Sequence, residues 1–149
     1  MSCAIVWFRR DLRLADNHAL IAAAQSGLPI IALYIHAPEE EGAWRPGAAS
    51  NWWLHHSLRA LDESLRQRGG RLLVQVGPSL ETLRRVIVAS GASEVHWNRL
   101  YEPVVVGSFE DAVLAVVFNP NLQAVVISDG FAYPSQHTVP MLREILTRQ

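Results

Sequence analysis

Val6-Trp7-Phe8-Arg9-Arg10-Asp11-Leu12-Arg13-Leu14-Ala15-Asp16-Asn17 is the stretch that decides how this chain reads. The apolar run Ile5 to Phe8 passes directly into a cluster of three arginines and an aspartate. Asp16 then precedes an Ala/Leu/Ile-rich segment with helical periodicity. This is the pattern of a buried strand, a polar loop and a capped helix. In an open α/β sheet, a polar loop after a strand lies where ligands bind.

The same alternation continues along the chain. Apolar β-like runs at Ala4–Phe8, Ile30–Ile35, Arg71–Val76, Glu94–Asn98 and Ala124–Ser128 predict five strands. Helical patterns at Asn17–Gln25, Ala48–Arg68, Ser79–Ser90, Ser108–Phe118 and Pro140–Thr147 predict five helices. Gly27, Gly69-Gly70 and Gly91 follow helices and suit the left-handed residue that ends them. Asp16, Ser79 and Ser108 suit helix N-caps. Continuous apolar strands alternating with helices imply a parallel sheet covered on both faces. In the second helix, Leu54, Leu58, Leu61 and Leu65 fall on one stripe, expected to be buried. His55, Arg59, Asp62 and Arg66 form a polar face beside it, with Asp62 and Arg66 placed to pair.

At 149 residues the chain is the size of one domain, and half its residues are apolar. A net charge of −1 predicts no strong nucleic-acid binding by this chain alone. Cys3 is its sole cysteine, which excludes an intrachain disulfide and fits a reducing, cytoplasmic location. The first residues carry no signal-peptide pattern, and the longest apolar run, Ala112 to Phe118, is too short to span a bilayer, so no membrane association is expected. The histidines show no metal-ligand spacing, and no phosphate-loop, GxGxxG or GxSxG motif occurs. No catalytic residue and no metal ligand is therefore assigned.

Three groups of residues remain as candidates for binding. In the cluster Arg9, Arg10, Asp11 and Arg13, the arginines carry guanidinium forks suited to phosphate or carboxylate, beside a helix N-terminus that adds donors. The same residues also suit a structural Arg–Asp network. Trp97-Asn98-Arg99-Leu100-Tyr101-Glu102-Pro103 follows the fourth strand. Trp97 suits a core position and Asn98 a strand end, while Asn98, Arg99 and Glu102 suit a ligand. The loop from His36 to Asn51, with Trp44, Arg45 and Ser50, reads as a lid or as an ordinary surface loop. Finally, Ala112 to Phe118 is apolar all round, and the segment Phe109–Phe118 is expected to be buried on more than one side, in a homodimer.

The wording of several blocks resembles the N-terminal α/β domain of the DNA photolyase/cryptochrome family. These blocks are WFRRDLRLADN (7–17), ALYIHAP (32–38), GAASNWWLHHSLRALDESLRQRGGRL (47–72) and VHWNRLYEP (95–103). The resemblance implies a Rossmann-like, doubly wound, five-stranded parallel sheet of strand order 3-2-1-4-5. The loops after strands one and four would then flank a crevice, with Arg10 and Glu102 facing across it. It also implies that the domain holds a light-harvesting antenna chromophore, which passes excitation to FAD in a helical domain for DNA repair. That helical FAD-binding domain is expected to be absent from residues 1–149, so FAD in the family's catalytic mode is not expected. A separate helical partner would have to supply it. Folate is disfavoured, because Val104 and Val105 stand near where folate-type members carry Asn-Glu. Leu100 stands where deazaflavin-type members carry an acidic residue. A flavin or deazaflavin antenna, or a nucleotide, lined by Arg9, Arg10, Asp11, Tyr34, His36, Ser50, Asn98, Arg99 and Glu102, is the expected ligand. The rival expectations are a protein-interaction module without ligand and a small nucleotide-dependent enzyme.

Overall fold

The computed structural model describes residues 2–40 and 45–98, and the backbone of 124–128. Eight elements follow one another: β1 (Ala4–Phe8), α1 (His18–Gln25), β2 (Ile30–His36), α2 (Ala48–Arg66), β3 (Leu72–Val76), α3 (Ser79–Ser90), β4 (Glu94–Asn98) and β5 (Ala124–Ser128). The strands form one sheet in the order β3-β2-β1-β4-β5, and every pairing is parallel. This is the doubly wound arrangement that the apolar strand runs and the resemblance together imply. The order reverses between β1 and β4, so their carboxyl ends diverge there into loops on opposite sides.

Strand β1 is buried along its whole length, and its alternate side chains feed two cores. Ile5 and Trp7 face one side, with Leu33, Val95 and Trp97, beneath Leu83, Val86 and Ile87 of α3. Ala4, Val6 and Phe8 face the other, beneath Ala19 and Ala23 of α1 and Leu61 of α2. The small residues of α1 allow that helix to lie close across β1, β4 and β5. Trp7 and Trp97 meet edge to face with ring centroids 6.0 Å apart. Cys3 is buried, and His96, also buried, bonds Glu94 through Nε2 at 2.9 Å.

Several boundaries differ from the sequence reading, for identifiable reasons. Strand β2 runs on to His36, because Gly77 N–H donates to the His36 carbonyl and extends the ladder. Helix α2 stops at Arg66, and β3 begins at Leu72 rather than Arg71. Asn17, not Asp16, caps α1: its side chain accepts from Leu20 N–H, while Asp16 takes φ 50° in the turn before it. Ser79 lies inside α3, whose cap is Pro78. Its N–H and hydroxyl instead both bond the Glu40 carboxylate, each at 2.6 Å, tying the segment after β2 to the start of α3. Gly91 ends α3 at φ 67°, as its position after the helix predicts.

The leucine stripe of α2 is only partly buried. Leu61 is sealed in the core, whereas Leu54, Leu58 and Leu65 stay half-buried. A 19-residue helix is about 28 Å long, against about 17 Å for a five-residue strand, so the first turns of α2 overhang the sheet. Trp52 and Trp53, 59% and 67% exposed, sit on that overhang. Helices expected at Ser108–Phe118 and Pro140–Thr147, the cap at Ser108 and the homodimer surface at Phe109–Phe118 lie outside the described residues. Among the described residues no helix is long and apolar enough to cross a membrane.

Candidate functional site

The loop after β1 and the end of β4 meet at the point where the strand order reverses. A part-buried polar network fixes them there. The Asp11 carboxylate accepts from the Arg9 N–H at 3.0 Å through Oδ1, and from the Asn17 side-chain amide at 3.3 Å through Oδ2. Asn98 donates to the same Oδ2 and to the Asn17 side-chain oxygen, and its own oxygen accepts from Ala19 N–H at 3.0 Å. Asn17 also donates to the Arg13 carbonyl at 3.0 Å. Asp11 and Asn17, six residues apart, and the distant Asn98 thus lock one loop, one helix start and one strand end together.

This arrangement changes how α1 can be used. The start of a helix offers unsatisfied N–H groups that favour anions. Here the Ala19 and Leu20 N–H groups are already accepted by Asn98 and Asn17, with the Asp11 carboxylate beside them. A phosphate seated there, as in dinucleotide-binding turns, would have to displace two carboxamides and approach a carboxylate. Within the Arg9–Arg13 cluster, Asp11 is engaged in the network, Arg9 is half-buried, and Arg10 and Arg13 are exposed.

The expected site residues divide as follows. Arg9 is half-buried, with its guanidinium 4.9 Å from the Trp7 ring centroid, a cation–π distance. Arg10 is exposed. Arg13 is exposed and donates to the Asp16 carbonyl through Nε and Nη2 at 3.3 and 3.2 Å. Asp11 and Asn98, half-buried, belong to the network. Tyr34 is buried on β2 directly beside Phe8 of β1, and His36, half-buried, ends the same strand beside Val76. Ser50 is exposed in the first turn of α2. Strand ends and the start of α2 place all of these at the carboxyl edge of the sheet, with Arg9, Asp11 and Asn98 brought into one contiguous group. Arg99 and Glu102, and Trp44 of the expected lid, lie outside the described residues, so the facing of Arg10 and Glu102 lies outside them too. Of the lid, Glu40 is anchored on Ser79, and Arg45 pairs with Glu39 at 3.0 Å on the surface.

Asn17 and Glu40 were not singled out from the sequence as site or anchoring residues. Asn17 stands directly before the helical pattern, a signal equal to that of Asp16. Glu40 gives no local signal, because its partner is 39 residues away. Among the described residues no cluster of His, Cys, Asp or Glu could hold a metal ion.

Comparison with known proteins agrees with this geometry. The family model for DNA photolyase matches residues 4–139. Cryptochrome-1 of Arabidopsis thaliana is 50% identical over 103 residues, 68% of this chain and 15% of that protein. A class III photolyase of Agrobacterium tumefaciens superposes with a TM-score of 0.74 at 41% identity, over 85% of this chain and 26% of that one. An archaeal photolyase of Sulfolobus tokodaii, whose structure holds two FAD molecules, shares the fold at 22% identity with a TM-score of 0.74, over 98% of this chain and 35% of that one. The chain therefore spans a minor part of the length of each of these proteins. With its sheet order, its polar switch-point loop and these matches, the chain belongs to the DNA photolyase family and corresponds to that family's N-terminal α/β domain.

Proposed function

We propose that this domain binds an antenna chromophore of the flavin or deazaflavin type and is not catalytic by itself. The observation that carries the reading is the switch point between β1 and β4. There the Asp11–Asn17–Asn98 network fixes the loop after β1 against the end of β4, and Arg10 is an exposed residue of that loop. A preorganised edge with a surface cation suits a planar heteroaromatic ring bearing an anionic group. Arg9, Arg10, Tyr34 and His36, with Ser50, Arg99 and Glu102, are the residues proposed to line it. The engaged Ala19 and Leu20 N–H groups disfavour a diphosphate on α1, so the anionic group belongs with the arginines. Bound there, such a chromophore supplies light absorption and excitation transfer to a second flavin in a helical domain. The protein's part is to hold and orient the ring and to exclude water from its buried edge. Folate is the weaker candidate, and light-dependent DNA repair belongs to the assembly with a helical partner, not to these residues alone. A cytoplasmic location is part of the same reading.

The test is binding of riboflavin, FMN and a deazaflavin to the purified chain. A charge-assisted hydrogen bond is worth about 1.5–3 kcal/mol, so Arg10→Ala should weaken an anionic ligand by roughly tenfold to a hundredfold or more. Affinity unchanged from wild type in both Arg10→Ala and Glu102→Ala would place the ligand elsewhere. The exposed Trp52 and Trp53 favour a second reading, an interaction module without ligand. Failure of all three ligands to bind would support that reading.

A further inference from the structure

Strand β3 forms one edge of the sheet, and that edge has the properties of a pairing surface. The Gly77 N–H points inward, to the His36 carbonyl. With His36 in register beside Val76, the backbone groups of Leu73 and Gln75 also point toward β2. Those of Leu72, Val74 and Val76 therefore point outward. The Leu72 N–H is accepted by Asp62 Oδ1 at 2.8 Å. The N–H and carbonyl groups of Val74 and Val76 have no partner among the described residues. Their side chains are 45% and 70% exposed. The strand, Leu-Leu-Val-Gln-Val, carries no charge and no proline, the devices that usually blunt an edge.

We propose that two copies of this chain associate by antiparallel pairing of their β3 edges about a two-fold axis at Val74, making one continuous sheet. The occupant follows from self-complementarity. In that register Val74 exchanges both backbone bonds with its counterpart, and each Val76 N–H meets the carbonyl of the other copy's Leu72. On the Val74 face apolar side chains meet, Val74 against Val74 and Val76 against Leu72, while Leu73 lies opposite Gln75. Arg71, the one flanking charge, falls opposite Gly77, which has no side chain to oppose it. Gly77 itself takes φ 141°, and a Cβ there would lie 3.0 Å from Thr82 Oγ1. The groove of about 430 Å³ beside the edge is lined by His55, Leu58, Arg59, Asp62, Leu72 and Val74. Two α2 helices running antiparallel across the axis bring Arg59 and Asp62 of each copy toward Asp62 and Arg59 of the other, a mixed-sign seam. An isologous contact of this kind closes on itself and makes a dimer rather than a filament.

The interface is distinct from Phe109–Phe118 and independent of any chromophore. Light scattering at high micromolar concentration should give the mass of a dimer. Val74→Lys should halve that mass with an unchanged circular dichroism spectrum, whereas Val88→Lys, at an exposed position of α3, should leave it. Under oxidising conditions Val74→Cys should cross-link two copies across the axis, within the Cα separation a disulfide spans. Val76→Cys, placed opposite Leu72, should not. A monomeric wild type overturns the proposal. So does a dimer that Val74→Lys leaves intact, or one broken by Val113→Glu alone.

Discussion

Asn98→Ala should destabilise the domain more than any other single truncation at its surface edge, although Asn98 touches no apolar core. The side chain makes three contacts: it accepts from Ala19 N–H and donates to Asp11 and to Asn17. Truncation removes a helix cap, which costs about 0.5–2 kcal/mol. It also takes a donor from the Asp11 carboxylate, and hydrogen bonds to charged groups contribute about 1.5–3 kcal/mol. Half-burial lets water replace part of that loss, so the net cost is about 3 kcal/mol. For a domain of this size that corresponds to a fall in Tm of about 6–12 °C. Urea denaturation followed by circular dichroism measures the free energy directly, with an unchanged m-value showing that both states keep their compactness. Asn98→Asp should be at least as damaging, because it sets a second carboxylate against Asp11. A loss below about 1 kcal/mol in Asn98→Ala would refute the idea that the network holds loop, strand and helix together.

Three further outcomes follow from other contacts. The Leu72 N–H, and then the Arg66 guanidinium, hold the Asp62 carboxyl below its ordinary value. A depressed folded value means that its stabilisation is complete above the unfolded value of about 4 and is lost as pH falls through the folded one. Denaturation of Asp62→Asn and wild type should therefore differ at neutral pH and converge in acid; a gap that persists at the lowest pH would show that charge is not its source. Glu40→Ala should release the segment tied to Ser79, costing about 1–2 kcal/mol and speeding chymotryptic cleavage after Trp44; unchanged cleavage would mean that the segment is held elsewhere. Purified protein given light and FAD should leave pyrimidine dimers in DNA unrepaired, and restoration of such DNA by this chain alone would falsify the non-catalytic reading.

The strands were legible because each is a short, mostly apolar run between turn or helix signals, with single polar interruptions at Gln75 and His96. Ala4–Phe8, Glu94–Asn98 and Ala124–Ser128 lie where periodicity places them. So does α3, whose apolar face and closing Gly91 are both local signals. What failed was whatever depends on a distant partner. Asp16 and Asn17 are equally good caps in isolation. Asn17 takes the role in a network completed by Asn98, 81 residues away. Ser79 has the composition of a cap, but Glu40 arrives from the β2 loop and engages it from outside the helix. The α2 stripe is periodic throughout, yet periodicity does not reveal where the sheet beneath a long helix ends. At the site, the Arg/Asp cluster was visible as a cluster. Its division into a structural Asp11 and surface arginines was not, because that division is set by Asn98 on β4. The sheet order entered through family resemblance, since local patterns carry no information about which strands are neighbours.

An antenna chromophore held at the β1–β4 switch point should accompany the protein or be taken up by it. Absorption spectroscopy of natively purified protein, titrated with riboflavin, FMN and a deazaflavin and followed by mass spectrometry of the released ligand, tests it most directly. One blue-absorbing heteroaromatic molecule per chain is expected, its binding weakened in Arg10→Ala. Protein that absorbs only through its tryptophans and tyrosines, and takes up none of the three compounds, would contradict it.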